Sequence, residues 1–431
     1  MTTQKNAPVD RGSAVAVIIF ILGLGTLLPW NFFITATEVP HITNGTTPVT
    51  NGTTPVTKDY EFASFMTLLS QLPLLLFTLA NSFLYQCIRE KVRIAVSLVS
   101  ILFLFLLTAI MVKVPMQPDS FFSITMATIW FINSFGAVLQ GSLFGLVGML
   151  PPKYSTLFMS GQGLAGIFAS LASLLSILSK TDKASAALGY FVTPCVATLL
   201  TLLSYLLLPH LVSEALANGD LKGYNNEPII SNGDFEASRT KEALFMMKQT
   251  DSHTRSSVLA VFKKIWVMAL CVTCVLAVTL SVFPAVTVKV KSVYGNKEWD
   301  RYFLCVCCFI VFNAMDLIGR SVTSMVQWPS KQSSLFPVLV VSRVVFIPLI
   351  MLCNTDNRQY LPVLFSHDVA FVAIMTLFAV SNGYFICLCM SYAPQLVRSK
   401  DCETAGALMT FFLALGLSLG AALSFLLRNL L

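Results

Sequence analysis

Long apolar stretches, separated by shorter polar segments, recur along the whole 431-residue chain. Each stretch reaches about 20 residues, the length that a helix needs to cross the hydrocarbon layer of a bilayer. Every backbone N–H and C=O in lipid must be paired within the protein, so these stretches are predicted to be helices. The hydrophobic pattern predicts eleven spans, near residues 13–36, 62–87, 92–112, 121–149, 158–179, 186–208, 265–288, 302–327, 335–353, 369–392 and 403–427.

One long polar segment divides the predicted spans into six and five. Residues 211–263 are rich in Asn, Gly, Asp, Ser and Lys with little apolar periodicity, which predicts a disordered cytoplasmic linker. The expected organisation is a six-helix bundle over residues 1–210 and a five-helix bundle over residues 264–431. The predicted fold class is an all-α integral membrane protein with eleven transmembrane helices.

Composition supports the membrane class and excludes a nucleic-acid partner. The chain is 55% hydrophobic and only 11% charged, whereas a soluble domain carries about 25% charged residues. The net charge of +7 comes from Lys and Arg in short loops and at helix ends rather than from a basic stripe. Such charges usually contact headgroups and set topology, so the expected partner is the lipid bilayer.

The loop at residues 38–60 indicates the orientation. It contains the sequence Thr-Asn-Gly-Thr-Thr-Pro-Val twice, and Asn44 and Asn51 are the chain's two glycosylation sequons. Glycosylation takes place on the lumenal side, which predicts a cytoplasmic N-terminus and an extracellular C-terminus. The alternative is that both sequons arose by chance in a Thr-rich loop.

Several motifs look catalytic, but their context argues against an enzyme. Residues 161–166 match a dinucleotide-binding pattern and residues 416–420 match a nucleophile elbow, yet both lie in apolar spans where glycines serve close helix packing. Cys271 and Cys274 have redox spacing without a polar surround. The histidines are scattered, so neither a metal site nor another cofactor is expected.

Polar side chains at membrane depth are costly and are therefore functional candidates. Phe309, Asn313, Asp316 and Arg320 share one face of the eighth span. Asp316 and Arg320 are four residues apart and can form an ion pair. Three further spans present polar faces, which contain Leu27, Trp30, Asn31 and Ile34; Gln71, Leu74, Thr78 and Asn81; and Asn133, Gly136 and Gln140.

Two interpretations of these faces remain open from the residues alone. Amides and hydroxyls can join helices, each contributing about 0.6–2 kcal/mol, or the faces can line one hydrated cavity for a small polar solute. Asp316 is the one central carboxylate, and Arg320 is expected to hold it ionised, which favours passive exchange. The alternatives are a facilitative or proton-coupled carrier of another neutral solute such as a hexose, and a signalling or scaffolding protein.

The chain resembles the equilibrative nucleoside transporters over essentially its whole length. The motifs that carry the resemblance are residues 23–31 (GLGTLLPWN), 133–142 (NSFGAVLQGS), 313–320 (NAMDLIGR) and 403–407 (ETAGA). The resemblance implies a major-facilitator-like, pseudo-symmetric 6+5 bundle in the plasma membrane. It also implies sodium-independent, bidirectional transport of nucleosides such as adenosine and uridine by alternating access.

The resemblance further implies individual residue roles. The residues expected to contact the nucleoside are Trp30, Gln140, Asp316 and Arg320, with Leu27, Gln71, Leu74, Phe309, Asn313 and Leu417 lining the same cavity. The expected gating residues are Ile34 and Pro284 at the extracellular constriction, Arg93 with Glu403 near the cytoplasmic closure, and Asn31. Gly136 matches a glycine linked in the family to sensitivity to nitrobenzylthio-purine inhibitors.

Subtype features are mixed. Residues 70–73, 121–126 and 154–158 look like the second subtype, which also carries nucleobases, whereas Gly136 looks like the first. Leu317 replaces a tryptophan common after the aspartate, and Gln71 stands where the first subtype has methionine. Nucleobases are therefore an additional candidate substrate.

Overall fold

The computed structural model describes residues 14–37, 58–84, 88–111, 118–179, 192–208, 257–295, 297–355 and 361–430. These residues are almost entirely helical, which confirms the predicted all-α class. The helices of the first half are α1 (Ala14–Thr37), α2 (Lys58–Leu84), α3 (Glu90–Met111), α4 (Pro118–Gly148), α5 (Pro152–Ser179) and α6 (Val192–Leu208).

The second half contains continuous helices and helices built from several pieces. The continuous ones are α7 (Val258–Val282), α10 (Asp368–Tyr392) and α11 (Cys402–Leu430). Helix α8 runs as Lys297–Phe303, a π-helical turn Leu304–Ile310 and Val311–Val322. Helix α9 runs as Leu335–Ser342, a 3₁₀ turn Arg343–Val345 and Phe346–Met351.

Most helices of the described residues are apolar, and many have the length of a membrane span. Seven of them are long and apolar enough to cross a bilayer by length and composition, and three shorter apolar helices accompany them. The prediction of eleven spans is consistent with this set and stays a prediction. The outer surface is also apolar: on α3, Val96, Phe103 and Ile110 are each more than half exposed. An exposed apolar surface of this kind fits a lipid environment.

Helix α7 begins earlier than the sequence pattern predicts. The expected linker extends to residue 263, but the helix starts at Val258. Lys263 and Lys264 interrupt the hydrophobic pattern, and both are exposed on the outer surface, where a lysine does not end a helix. Val261 and Ile265 on the opposite face are buried and hold this first turn against the bundle.

Eight helices form a closed ring. Successive neighbours around it are α1, α5, α8, α10, α7, α11, α2 and α4, and α4 packs against α1 to close the circle. Each ring helix of the first half has a counterpart six numbers higher in the second half, for example α1 and α7. Exchanging every helix with its counterpart leaves the order around the ring unchanged. The ring therefore has the two-fold pseudo-symmetry predicted for a major-facilitator-like bundle. Helix α3 packs outside against α4, and α9 packs outside against α7 and α10.

The glycine motifs serve helix packing. A Cβ atom at Gly416 would lie 2.7 Å from the carbonyl oxygen of Thr273, so α11 approaches α7 at backbone distance. At Gly161 a Cβ would collide with the carbonyl of Phe20 on α1. The two motifs that imitate enzyme signatures are thus close-approach surfaces, as the sequence context predicts.

Candidate functional site

Asp316 and Arg320 form an ion pair on α8. Nε of Arg320 donates to Oδ2 of Asp316 at 2.7 Å, across one helical turn. The two residues are only 5% and 8% exposed. Leu317 and Ile318, which lie between them in sequence, are more exposed, so the helix turns its charged side chains inward.

Neighbouring helices hold both members of the pair. Nη1 of Arg320 donates to the carbonyl of Met159 on α5 at 3.1 Å. Nδ2 of Asn382 on α10 donates to Oδ1 of Asp316 at 2.7 Å. Because a carboxylate offers about four lone-pair sites, each oxygen of Asp316 can still accept one further hydrogen bond. A solute hydroxyl is a suitable donor for that position.

Gln140 and Gly136 on α4 face the interior of the ring. Gln140 is 7% exposed, whereas Phe131 on the same helix is 51% exposed on the outer surface. The two residues are nine positions apart, so their side chains point about 180° away from each other. A Cβ at Gly136 would meet no atom within 4 Å. No group of the described residues hydrogen-bonds the Gln140 amide. Open space beside an unpaired interior amide fits the predicted solute cavity.

Other predicted cavity residues also lie on ring helices. On α2, Oε1 of Gln71 is buried and lacks a hydrogen-bond partner among the described residues. Leu74, one turn along α2, accepts from the Thr78 hydroxyl through its carbonyl and leaves its side chain partly exposed. Leu27 of α1 and Leu417 of α11 are partly buried and pack on the main core. None of these four residues hydrogen-bonds the Asp316–Arg320 pair in the described part of the chain.

Asn313 and Phe309 occupy the stretch of α8 beside α5 and the end of α7. Nδ2 of Asn313 donates to Oγ of Ser170 on α5 and to the carbonyl of Phe309, each at 2.9 Å. The Phe309 ring meets Phe283 edge to face, with centroids 5.8 Å apart. The structure thus places Asn313 at a helix seam, and its predicted contact with solute stays a prediction.

Residues predicted to form the extracellular constriction are only partly described. Pro284 follows the end of α7, after a cis peptide bond from Phe283. Asn31 lies within α1, and its amide donates to the carbonyl of Leu27 at 2.9 Å. Trp30 and Ile34 are in α1 by their backbone, but their side chains lie outside the described set.

The predicted cytoplasmic closure is a buried ion pair between α3 and α11. Nη2 of Arg93 lies 2.7 Å from Oε1 of Glu403, and the two side chains are 4% and 8% exposed. Nη1 of Arg93 donates to Oδ1 of Asn81 on α2 at 3.1 Å. The Ser82 hydroxyl donates to the carbonyl of Ala407 at 3.3 Å. Three helices, α2, α3 and α11, therefore meet at this ion pair.

Helix α11 lies closely against α4 at this end of the bundle. A Cβ at Gly145 would lie 2.9 Å from Cγ of Glu403, and one at Gly406 would lie 2.5 Å from the Phe144 carbonyl oxygen. The glycines thus let α11 place Glu403 directly against α4. There it meets the guanidinium of Arg93.

A shallow depression of about 620 Å³ lies near the start of α8 and α10. Its one carboxylate, Asp368, accepts hydrogen bonds from the Ser292 hydroxyl, the Val293 amide and the Trp299 indole. Asp368 therefore ties the loop after α7 to α10. The depression is separate from the Asp316–Arg320 pair.

The glycosylation sites and most of the linker cannot be compared with the structure. Asn44, Asn51 and most of the expected linker are outside the described ranges. In the described part of the chain, ten cysteines are free and no cluster of His, Cys, Asp or Glu could hold a metal ion.

The sequence interpretation missed several residues at the site. Asn382 binds Asp316 directly, and Arg343 hydrogen-bonds Thr279, which in turn reaches Asn382. Gln162, inside the dinucleotide-like motif, donates to the Thr26 hydroxyl at 3.1 Å and joins α5 to α1. The sequence could have indicated these residues as functional candidates, because each is a polar residue within an apolar span.

These features define the class: an integral, multi-pass membrane protein with a major-facilitator-like fold. Among solved structures, a double-tryptophan mutant of XylE shares this fold with a TM-score of 0.64 and 13% identity, covering 96% of this chain and 90% of that chain.

Sequence comparisons identify the family. A family profile described as Nucleoside transporter matches residues 126–429. Equilibrative nucleoside transporter 2 of Rattus norvegicus is 51% identical over 454 aligned residues, covering 99% of each chain. Equilibrative nucleoside transporter 1 of Homo sapiens is 45% identical over 454 residues with the same coverage. The chain belongs to the equilibrative nucleoside transporter family, whose members are transporters rather than enzymes.

Proposed function

We propose that this protein transports purine and pyrimidine nucleosides across the membrane by facilitated, sodium-independent, bidirectional exchange. The observation that carries the proposal is the buried Asp316–Arg320 ion pair, which α5 and α10 hold in place. Both carboxylate oxygens of Asp316 can still accept a hydrogen bond from a solute. Family membership supports nucleosides as the solute. The pair and the unpaired Gln140 amide supply the two kinds of polar contact that a nucleoside requires.

The site residues divide by chemistry. Asp316 accepts and Arg320 donates hydrogen bonds to ribose hydroxyls, because carboxylate and guanidinium groups complement a diol. Gln140 pairs with the edge of the base, and Trp30 offers a stacking face. The remaining cavity-lining residues of the proposal are Leu27, Gln71, Leu74, Phe309, Asn313 and Leu417.

Alternating access follows from two closures on opposite sides of this site. Arg93 and Glu403 shut one end, and their separation is required before solute can leave there. Ile34 and Pro284 form the other constriction, and Asn31 is a further gating residue. Nucleoside binding between them allows either closure, but not both, to open.

Passive transport follows from the charges. Proton coupling requires a carboxylate that changes its charge during the cycle, whereas Asp316 is paired directly with Arg320 at 2.7 Å. Arg93 likewise neutralises Glu403 while that end is shut. A neutral solute adds no charge that would need a counter-ion.

Location and organisation are part of the same proposal. The protein acts in the plasma membrane with its N-terminus cytoplasmic, its C-terminus extracellular and Asn44 or Asn51 glycosylated. A six-helix and a five-helix bundle, joined by the polar linker that ends before Val258, move against each other. Nucleobases are further substrates, as the second-subtype features favour.

Uptake of labelled uridine by proteoliposomes that contain the purified protein tests the proposal. Adenosine should compete and glucose should not, whereas a hexose carrier would give the reverse result. Asp316→Asn removes one charge-assisted hydrogen bond, which is about 1.5–3 kcal/mol, so KM for uridine should rise by at least about tenfold. The matched control is Asp300→Asn at an exposed aspartate. Normal uridine transport by Asp316→Asn would refute the ribose assignment.

A further inference from the structure

Arg343 is a buried cation outside the ring. It lies in the 3₁₀ turn of α9, is 2% exposed and has the largest side chain among the fully buried residues described. Within the described part of the chain, no carboxylate forms an ion pair with it. A buried charge without a direct counter-ion is costly and marks a functional candidate.

The guanidinium of Arg343 is held between α7 and α10. Nε donates to the Ser381 hydroxyl at 3.0 Å, and Nη1 donates to the carbonyl of Val275 at 2.9 Å. Nη2 donates to Oγ1 of Thr279 at 3.1 Å. The group also lies over the ring of Phe378, 5.4 Å from its centroid. Its position is therefore fixed from several directions.

Thr279 passes this interaction on to Asn382. Its single hydroxyl proton has two acceptors within reach, the Val275 carbonyl at 2.8 Å and Oδ1 of Asn382 at 2.7 Å. The Val275 carbonyl already accepts from Arg343, whereas Oδ1 of Asn382 needs a donor. The proton thus belongs on the bond to Asn382.

Asn382 in turn donates Nδ2 to Oδ1 of Asp316 at 2.7 Å. Every donor in the chain from Arg343 through Thr279 and Asn382 points towards Asp316. A chain that starts at a cation and ends at an anion polarises each of its bonds in the same direction. Reversing the Asn382 amide would place two oxygens against each other, so the chain also fixes the orientation of that amide.

We propose that Arg343 is a positioning residue of the nucleoside site, acting on Asp316 through Thr279 and Asn382. The hydrogen bonds from Arg343 through Thr279 and Asn382, called the relay here, hold Oδ1 of Asp316, while Arg320 holds Oδ2. The remaining lone pairs of Asp316 therefore face the solute. The cations that act on Asp316 are then Arg320 on its own helix and, through Thr279 and Asn382, Arg343 on α9; the neutral thiol of Cys387 on α10 also lies nearby. The inference rests on the proposed function, in which Asp316 binds ribose.

A helix-joining role for Arg343 is the competing explanation, and a double-mutant cycle separates the two. KM for uridine is measured for Arg343→Gln, for Asp316→Asn and for the double variant in proteoliposomes. A positioning role predicts that Arg343→Gln raises KM about tenfold in the parent protein, by weakening one charge-assisted contact. The same change should add almost nothing once Asp316 is replaced. Arg343→Lys, which keeps the charge, should recover part of the affinity.

Two further variants keep the test decisive. Thr279→Val breaks the relay but leaves Arg343 its Val275 and Ser381 acceptors, so it should reproduce the non-additive result even if Arg343→Gln fails to fold. Arg89→Gln, at an exposed arginine, should leave KM unchanged. Equal KM increases in both backgrounds would overturn the positioning role. Absence of uridine uptake by the parent protein would instead overturn the proposed function.

Discussion

Removing the charge of Glu403 should favour opening of the proposed Arg93–Glu403 closure. In Glu403→Gln the guanidinium of Arg93 stays buried, 6% exposed, without its counter-ion. Removing one member of a buried ion pair costs about 3–5 kcal/mol. Only the closed conformation bears this cost in full, because water reaches Arg93 once the closure opens.

The closed state also carries existing costs. Nε of Arg93 and Nδ2 of Asn81 are buried without hydrogen-bond partners among the described residues, and each such donor costs about 1–3 kcal/mol. Opening therefore recovers hydration for both groups. A shift of about 3 kcal/mol against the closed state corresponds to about a hundredfold change in the ratio of closed to open protein.

Accessibility of a reporter cysteine measures this shift. Ser142 on α4 is 1% exposed and follows Gly141, whose Cβ position lies 2.6 Å from Nδ2 of Asn81 at this closure. Ser142→Cys should therefore react slowly with a membrane-impermeant maleimide applied to the closed side. Adding Glu403→Gln should speed the labelling by up to about a hundredfold, and exchanging the two charges, as Arg93→Glu with Glu403→Arg, should restore slow labelling. An unchanged rate in a well-expressed Glu403→Gln protein would refute the assignment of this pair as a gate.

Three further substitutions test the packing and the cavity. Gly416→Leu should lower the thermal midpoint of the detergent-solubilised protein, because any side chain collides with the Thr273 carbonyl, 2.7 Å from the Cβ position. The control Leu419→Ile, at a 46% exposed site, should leave the thermal midpoint unchanged. Gln140→Leu should leave that midpoint unchanged, since no internal hydrogen bond is lost, but should raise KM for uridine about two- to tenfold; a lower midpoint with normal KM would contradict the cavity assignment. Gly136→Ser should preserve folding and uridine transport, because open space surrounds the position, yet should change inhibition by a nitrobenzylthio-purine in uptake assays; unchanged inhibition would remove Gly136 from the inhibitor site.

Local spacing explains what could be predicted from the sequence. Asp316 and Arg320 are one turn apart, so their pairing follows from helix geometry alone. The glycine motifs at residues 161–166 and 416–420 indicated close packing because they lie inside apolar spans, and both now face neighbouring backbones. The apolar stretches themselves predicted the helices.

Contacts between distant segments could not be derived in the same way. Arg93 and Glu403 are 310 positions apart, and only the family resemblance suggested their closure. Asn382 follows Ser381 in an otherwise apolar stretch of α10, and no pattern in the sequence connects it to Asp316. Arg343 binds mainly hydroxyls and carbonyls, and such partners carry no charge that a sequence interpretation could match.

The most direct test of the account is the equilibrium distribution of labelled uridine in proteoliposomes under imposed gradients. Because Arg320 pairs directly with Asp316 on the same helix, the charge of this central carboxylate should not change with the transport cycle. The account predicts that uridine equilibrates to equal concentrations inside and outside, with or without a sodium or proton gradient. Accumulation of uridine above the external concentration, driven by either gradient, would contradict it.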